Sequence, residues 1–316
     1  MFVHRAFGRL VTCDRGLAFE SADAPDQTPE VAIRCDPSLE LSLAEPIHVV
    51  EDYPGGPILR IYRNGDRIEI DYDGRLFAWT PGHGEVGYRG GEGERRSDWD
   101  LVIERVILPL YVLTSEADIL AVHGSAAEIG GKAWVFIGES GAGKSTTAYE
   151  LISAGGHLVA DDMTLIDARA KIVLPGAPSL RLWKGKGEVR GAVDDRLVSD
   201  LTTKRWFRLQ DNLATSRVVP LGGLIWLDPT DDAAHDGRFT RGRGQEGLAD
   251  LLRQSFDFTN PPREWMIRRL GNARTVFADS PLIRYQYVRS PDGRPTHVER
   301  LRQWLLEASA DVVVQE

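Results

Sequence analysis

The chain has 316 residues, 38 Lys+Arg against 47 Asp+Glu, a formal net charge of -9, two cysteines and 42% hydrophobic residues. That apolar fraction supports a proper core and excludes a disordered chain, while the length suits two domains or one large α/β domain with an appendage. The acidic balance argues against a nucleic-acid partner, and Cys13 and Cys35 are too few for a disulfide framework or a zinc site of their own.

The start, Met1 to Arg9, has no apolar h-region, and the longest apolar run, Val106 to Leu113, is interrupted by Pro109. Such a run is far short of the ~20 residues that span a bilayer, so a cytoplasmic protein without membrane association is expected. Residues 1–97 read as a β-rich domain of unknown role. Ile58–Arg63 and Arg67–Tyr72 alternate apolar and polar side chains around Asn64-Gly65, which predicts a hairpin. Val31–Cys35 and Leu76–Thr80 are further short strands. Residues 81–97, rich in glycine and charge, read as a loop or linker, and the domain boundary is placed near 97.

From there a second domain, 98–316, is expected. Asp98 can cap a helix whose apolar face carries Trp99, Val102, Ile103, Val106, Ile107 and Leu110, with Pro109 kinking or shortening it. Strands are predicted at Ile119–Val122, Ala133–Ile137, His157–Ala160, Val218–Leu227 and Leu282–Val288, with a hairpin of Thr164–Ile166 and Lys171–Leu174. Helices are predicted at Ser145–Ala154, ended by Gly155-Gly156, and at Gly247–Phe256, Glu264–Leu270 and Val298–Ala308.

The sharp motif is Gly138-Glu139-Ser140-Gly141-Ala142-Gly143-Lys144-Ser145, followed by Thr146. It satisfies G-x-x-x-x-G-K-[ST] between an apolar strand and a helix, the context its mechanism requires. Glycines let successive N–H groups curl round phosphate oxygens, and the helix N-terminus adds positive character. In such loops the lysine, here Lys144, reaches the β- and γ-phosphates, and the hydroxyl of Ser145 ligates Mg²⁺. ATP and Mg²⁺ are therefore the expected cofactors. No N/T-K-x-D tetrapeptide for guanine is present, and the nearest imitation of an ABC signature, Arg243 to Gly247, follows the acidic strand end instead of preceding it.

Asp161-Asp162 ends the strand one helix after the loop. By itself the pair could be a turn between strands, but beside a phosphate loop it can hold Mg²⁺ and accept a proton from a hydroxyl. His123 ends the preceding strand, either as a structural residue or bordering the site. Lys184, Lys186, Arg190, Lys204, Arg205, Arg208 and Arg217 concentrate positive charge. They form either a solvated face or contacts to phosphate or an acidic peptide, with Lys204 and Arg205 the preferred substrate residues.

The runs His123-Gly-Ser-Ala-Ala, Phe136 to Ser145 and Glu150 to Asp162 together resemble the HPr kinase/phosphorylase family, over residues 119–167. The resemblance implies an α/β fold: a P-loop, PEP carboxykinase-like C-terminal domain behind the β-rich half. It implies a phosphotransferase in which Asp161 deprotonates a substrate serine, Asp162 and Ser145 serve the metal, Lys144 binds phosphate and His123 borders the site. Members of the family assemble as homo-oligomers. Thr146 stands where bifunctional members have glutamate, so phosphorylase activity is not expected. The phrase His-Gly-Ser-Ala, the loop running into Thr146-Thr147 and the later Pro220-Leu resemble a narrower branch, the kinases of lasso-peptide gene clusters. That branch implies the C-terminal serine of a precursor peptide as acceptor. A small-metabolite kinase on the same scaffold and a non-catalytic nucleotide-binding regulatory protein are the alternatives.

Overall fold

The computed structural model describes residues 1–17, 19–22, 27–42, 45–51, 58–90, 96–183, 192–196, 204–288 and 296–310. The chain divides into two compact units: 1–119 with 257–269, and 120–256 with 270–316. The first unit thus reaches past residue 97 and takes in a segment from far downstream.

Nine strands of the first unit form one sheet among the described residues. They are β1 (Phe2–Ala6), β2 (Arg9–Cys13), β3 (Glu20–Ser21), β4 (Val31–Cys35), β5 (Pro46–Glu51), β6 (Ile58–Asn64), β7 (Arg67–Tyr72), β8 (Arg75–Trp79) and β9 (Glu85–Arg89). Their order is β3-β1-β2-β4-β9-β8-β7-β6-β5. The hairpin β6–β7 pairs Asn64 with Arg67, so its two loop residues are Gly65 and Asp66, one later than the expected pair. Gly65 has φ +59°, at the first loop position, where glycine relieves the strain of a left-handed backbone. The stretch read as a linker contains β9, which pairs antiparallel with β8 and parallel with β4.

Helix α1 (Arg96–Val102) runs through a π-helical turn, Ile103–Ile107, into α2 (Leu108–Ser115). The helix starts before Asp98, which is therefore inside it. The π turn, where Leu108 N–H bonds to Ile103 O, comes directly before Pro109. It absorbs the missing proline donor, so the chain stays helical to Ser115 instead of breaking. Trp99 packs against Phe77 and Tyr88 with ring centroids 5.5 and 5.3 Å apart, and Trp79 Nε1 donates to Thr114 Oγ1 at 3.0 Å. Residues 257–269 join this unit through local bonds: Asn260 N–H donates to Ile47 O at 2.8 Å, and Arg63 pairs with Glu264 at 2.7 Å.

The second unit holds β10 (Ile119–His123), β11 (Ser125–Ile129), β12 (Lys132–Ile137), α3 (Lys144–Ser153), β13 (His157–Ala160), β14 (Met163–Asp167) and β15 (Ile172–Val173). It continues with β16 (Ser179–Trp183), β17 (Ala192–Arg196), β18 (Lys204–Leu209), β19 (Val219–Thr230), β20 (Arg238–Arg241), α4 (Gly244–Gln254), α5 (Arg263–Asp279), β21 (Leu282–Val288) and α6 (Thr296–Ala310). The first residues of β10 and α5 belong to the first unit. The main sheet runs β10-β14-β15-β19-β12-β11-β13, with β21 parallel to β19 and β20 beyond it. The small sheet β16-β18-β17 lies apart from it.

Strand β11 has no counterpart among the predicted elements. It forms a hairpin with β12 through Gly130 and Gly131, whose φ of +61° and +77° suit a tight turn of the twist-matched kind. Apolar side chains on one face of the main sheet (Phe136, Ile225, Leu227) pack with Ala148, Leu151 and Ile152 of α3. On the other face, Val135, Ile137 and Leu224 pack with Leu251, Ala273 and Val276 of α4 and α5. The near-continuous apolar β12 follows from this two-sided burial. Helix α3 ends as expected: Gly155 N–H bonds to Ile152 O and Gly156 N–H to Leu151 O, with Gly155 at φ +98°. Helix α5 runs nine residues past the expected stop at Leu270, because Ala273 and Val276 are buried and hold it. Among the described residues, no helix is long and apolar enough to cross a membrane.

Candidate functional site

The loop between β12 and α3 has the backbone its motif demands. Gly138, Gly141 and Gly143 take φ of +140°, +81° and +87°, and Gly143 sits at the N-cap of α3. A side chain at Gly138 would put its Cβ 2.7 Å from the Leu227 carbonyl oxygen of β19. Gly138→Ala therefore meets both a forbidden backbone region and a wall of backbone. A loss of about 2 kcal/mol or more is expected, read as a lower urea midpoint. Tyr287, on β21, braces the loop from the far side by donating to Ala142 O at 2.5 Å.

Lys144 is the first residue of α3 and is buried. Its Nζ donates to Gly138 O at 2.8 Å and Glu139 O at 3.3 Å, so the ammonium lies inside the loop's own curl. Helix α3 aims its N-terminal partial positive charge at the same place.

The acidic pair lies in a tight turn after β13, closed by Met163 N–H to Asp161 O at 3.0 Å. Asp162 takes φ +70°, a left-handed conformation that aspartate tolerates better than most residues. The turn sends the two carboxylates to different tasks. Asp161 is buried, at 8% exposure. Its Oδ1 accepts from Ser125 Oγ at 2.6 Å and its Oδ2 from Arg181 N–H at 2.9 Å. Ser125 Oγ is also 3.4 Å from Ser145 Oγ, so Asp161, Ser125 and Ser145 form one line from the acidic turn to the phosphate loop. The Asp162 carboxylate is more open and lies 3.9 Å from Arg181 Nη1.

His123 closes the other edge. Its Nδ1 is 3.2 Å from the Asp162 carbonyl oxygen, and Gly124 N–H donates to the same oxygen at 3.3 Å. The surrounding protein lowers the imidazole's pKa from 6.5, first by displacing water and then through the charge of Lys144, against the opposing pull of Asp162 and Asp161. His123 is thus neutral at pH 7. Because its folded pKa lies below the unfolded one, its contribution is intact above 6.5 and is lost as pH falls through the window beneath. An NMR titration should show its midpoint under 6.5, and His123→Gln should flatten the acid-side loss of stability relative to wild type.

His123, Ser125, Lys144, Ser145, Asp162 and Arg181 line a single pocket. The fold therefore gathers the loop, the histidine and the acidic turn. Of the cations singled out by sequence, Arg217 is bound to Glu128, and Arg208 lies on β18 in register with Ser179. Lys184, Lys186 and Arg190, and the side chains of Lys204 and Arg205, lie outside the described residues. Two further residues, absent from the sequence-derived set, belong to the site. Ser125 stands inside the His-Gly-Ser phrase and could have been found there. Arg181 carries no local signal, because it reaches the pocket only through the fold of the small sheet.

The donors present suit the implied groups. Positive-φ glycines open the loop backbone, and a buried ammonium fits phosphate. No cluster of three or more His, Cys, Asp or Glu side chains forms among the described residues. A hydroxyl and a carboxylate beside a phosphate loop match Mg²⁺, which keeps several waters and shares phosphate oxygens.

The glycine-rich loop, which carries the G-x-x-x-x-G-K-[ST] pattern, and the acidic turn thus meet at one pocket. The family model described as HPr Serine kinase C-terminal domain matches residues 115–192. HPr kinase/phosphorylases from Streptococcus pneumoniae strains Hungary19A-6 and D39 / NCTC 7466 are 39% identical over 84 residues, 27% of this chain and 27% of theirs. The chain thus matches about a quarter of the length of these curated relatives. A solved structure, the Hpr(Ser) kinase/phosphatase from Coxiella burnetii, aligns with a TM-score of 0.33 and 12% identity, over 62% of this chain and 99% of that one. The matched stretch, 115–192, includes the loop, the acidic turn and Arg181, and is similar to the C-terminal domain of HPr serine kinases.

Proposed function

We propose that the protein is an ATP- and Mg²⁺-dependent kinase that phosphorylates a serine hydroxyl of a peptide or protein. The observation that carries this reading is the hydrogen-bonded line from Asp161 through Ser125 to the loop serine Ser145. It sets a proton acceptor against a phosphate-binding loop, which a purely structural turn has no reason to do.

Lys144, released from its loop carbonyls, binds the β- and γ-phosphates, and Ser145 with Asp162 would hold the magnesium ion. Bound there, the ion supplies charge neutralisation between the phosphates. In the transfer, the serine Oγ–Pγ bond forms, the bond from Pγ to the ADP oxygen breaks, and ADP leaves. The serine proton goes to Asp161, whose carboxylate offers about four acceptor sites. Arg181 N–H and Ser125 hold that carboxylate in orientation. His123, neutral at pH 7, orients the turn instead of competing for the proton.

The narrower form of this reading, with the C-terminal serine of a lasso-peptide precursor as acceptor, rests on the His-Gly-Ser-Ala phrase and the Thr146-Thr147 continuation of the loop. The test is γ-labelled ATP offered with serine-ended peptides and, in parallel, with free amino acids and sugars. Label in peptide supports the proposal. Label confined to small hydroxyl compounds makes the protein a metabolite kinase. Nucleotide binding without transfer makes it a regulatory module.

A further inference from the structure

Arg181 lies on β16, whose residues alternate between two environments. Leu180 and Leu182 are buried with Phe207 and Leu209 in the core over α3. The alternation of side chains along a strand puts Arg181 on the opposite face. There it stands directly across from Trp206 of β18 in the antiparallel register, with its guanidinium carbon 5.2 Å from the indole centroid. The cation–π contact holds the guanidinium plane through its face, while phosphate recognition uses its edge, so the two are compatible.

The same residue touches both carboxylates of the acidic turn. Its backbone N–H is bonded to Asp161 at 2.9 Å. Its side chain brings Nη1 within 3.9 Å of the Asp162 carboxylate. In the pocket it shares with Lys144, Arg181 adds a second positive side chain. Phosphoryl transfer spreads charge over three equatorial oxygens, more than a lysine alone contacts, and an arginine fork suits those that remain.

We propose that Arg181 is the cation that stabilises the phosphoryl group in transit: its guanidinium, held against Trp206, moves from Asp162 to the equatorial oxygens of the transferring phosphate. This rests on the kinase reading. Arg181 forms and breaks no bond itself; it neutralises charge while the Pγ bond to ADP is exchanged for one to serine.

The experiment compares the wild type with Arg181→Lys, Arg181→Met and Trp206→Ala. Steady-state kinetics are run beside calorimetric binding of Mg²⁺-ADP with and without aluminium fluoride. Loss of one such stabilising group is expected to lower kcat by ~10²–10³-fold in both Arg181 variants. The KM values for ATP and acceptor should stay near wild type. Plain ADP should bind normally, which also reports that the variants are folded, while the tighter binding given by aluminium fluoride should vanish. Trp206→Ala should lose part of that increment. A raised acceptor KM with unchanged kcat overturns the inference and makes Arg181 a substrate-binding residue. So does an aluminium fluoride increment that survives in Arg181→Met. A wild type that shows no increment at all overturns the kinase reading and this inference with it.

Discussion

Asp161→Asn should lower kcat by about 10²–10⁴-fold, the usual loss when a general base is removed. ATP binding should stay near the wild-type level. The two halves of this result have separate causes. Asparagine keeps the size of aspartate, and its amide oxygen can still accept from Ser125 or from Arg181 N–H, so the turn and the loop beside it keep their shape. It has no basic lone pair for the serine proton, so the chemical step slows. Single-turnover transfer of γ-phosphate, measured beside calorimetric titration with a non-hydrolysable ATP analogue, separates the two. Unchanged turnover in Asp161→Asn would remove this carboxylate from the mechanism. Loss of nucleotide binding would instead make it a scaffold of the loop.

Lys144→Ala has the opposite signature: binding and turnover should fall together. Each charge-assisted bond from the ammonium to phosphate is worth about 1.5–3 kcal/mol, or roughly 10- to 100-fold in Kd. In the proposed reaction the lysine also touches the group being transferred, so kcat should fall as well. Lys144 is 9% exposed, and its ammonium satisfies Gly138 O and Glu139 O. Truncation therefore leaves two loop carbonyls short of a donor. Lys144→Met, which keeps most of the side-chain volume, controls for collapse of the loop. Normal ATP affinity in both variants would place the nucleotide elsewhere.

Much of the second unit is legible in the amino-acid sequence alone. Strands β12, β13 and β21 and helix α3 fall within a residue or so of their expected limits, because each carries a strong periodic or apolar signal bounded by glycine, proline or charged residues. The helices that depart from expectation do so for a common reason. Gly271 argues for a stop after Leu270, yet α5 continues to Asp279 because burial of Ala273 and Val276 outweighs the local cost of a glycine. The π turn before Pro109 keeps α1 and α2 continuous for a similar reason: Ile103, Ile107, Leu108 and Leu110 are all buried. Strand β11 is hard to read from its residues although Gly130-Gly131 is a hairpin signal, since Ser-Ala-Ala-Glu-Ile has little strand propensity of its own. It is a strand because β12 and β13 flank it and every one of its residues is buried.

The phosphate loop, the acidic pair one helix later and their order can all be read from contiguous residues. A phosphate loop is local: its glycines, lysine and serine lie within eight consecutive residues, and the strand before and helix after adjoin it. Tertiary structure decided what surrounds it. Ser125 lies between Asp161 and Ser145 only because β11 pairs with both β12 and β13. Arg181 faces the pocket only because β16 and β18 pair in a register that sets it against Trp206. The segment 257–269 joins the first unit through bonds to Ile47 and Arg63, some two hundred residues away. Register and long-range pairing depend on which apolar faces meet in the folded chain, and no stretch of contiguous sequence encodes that meeting.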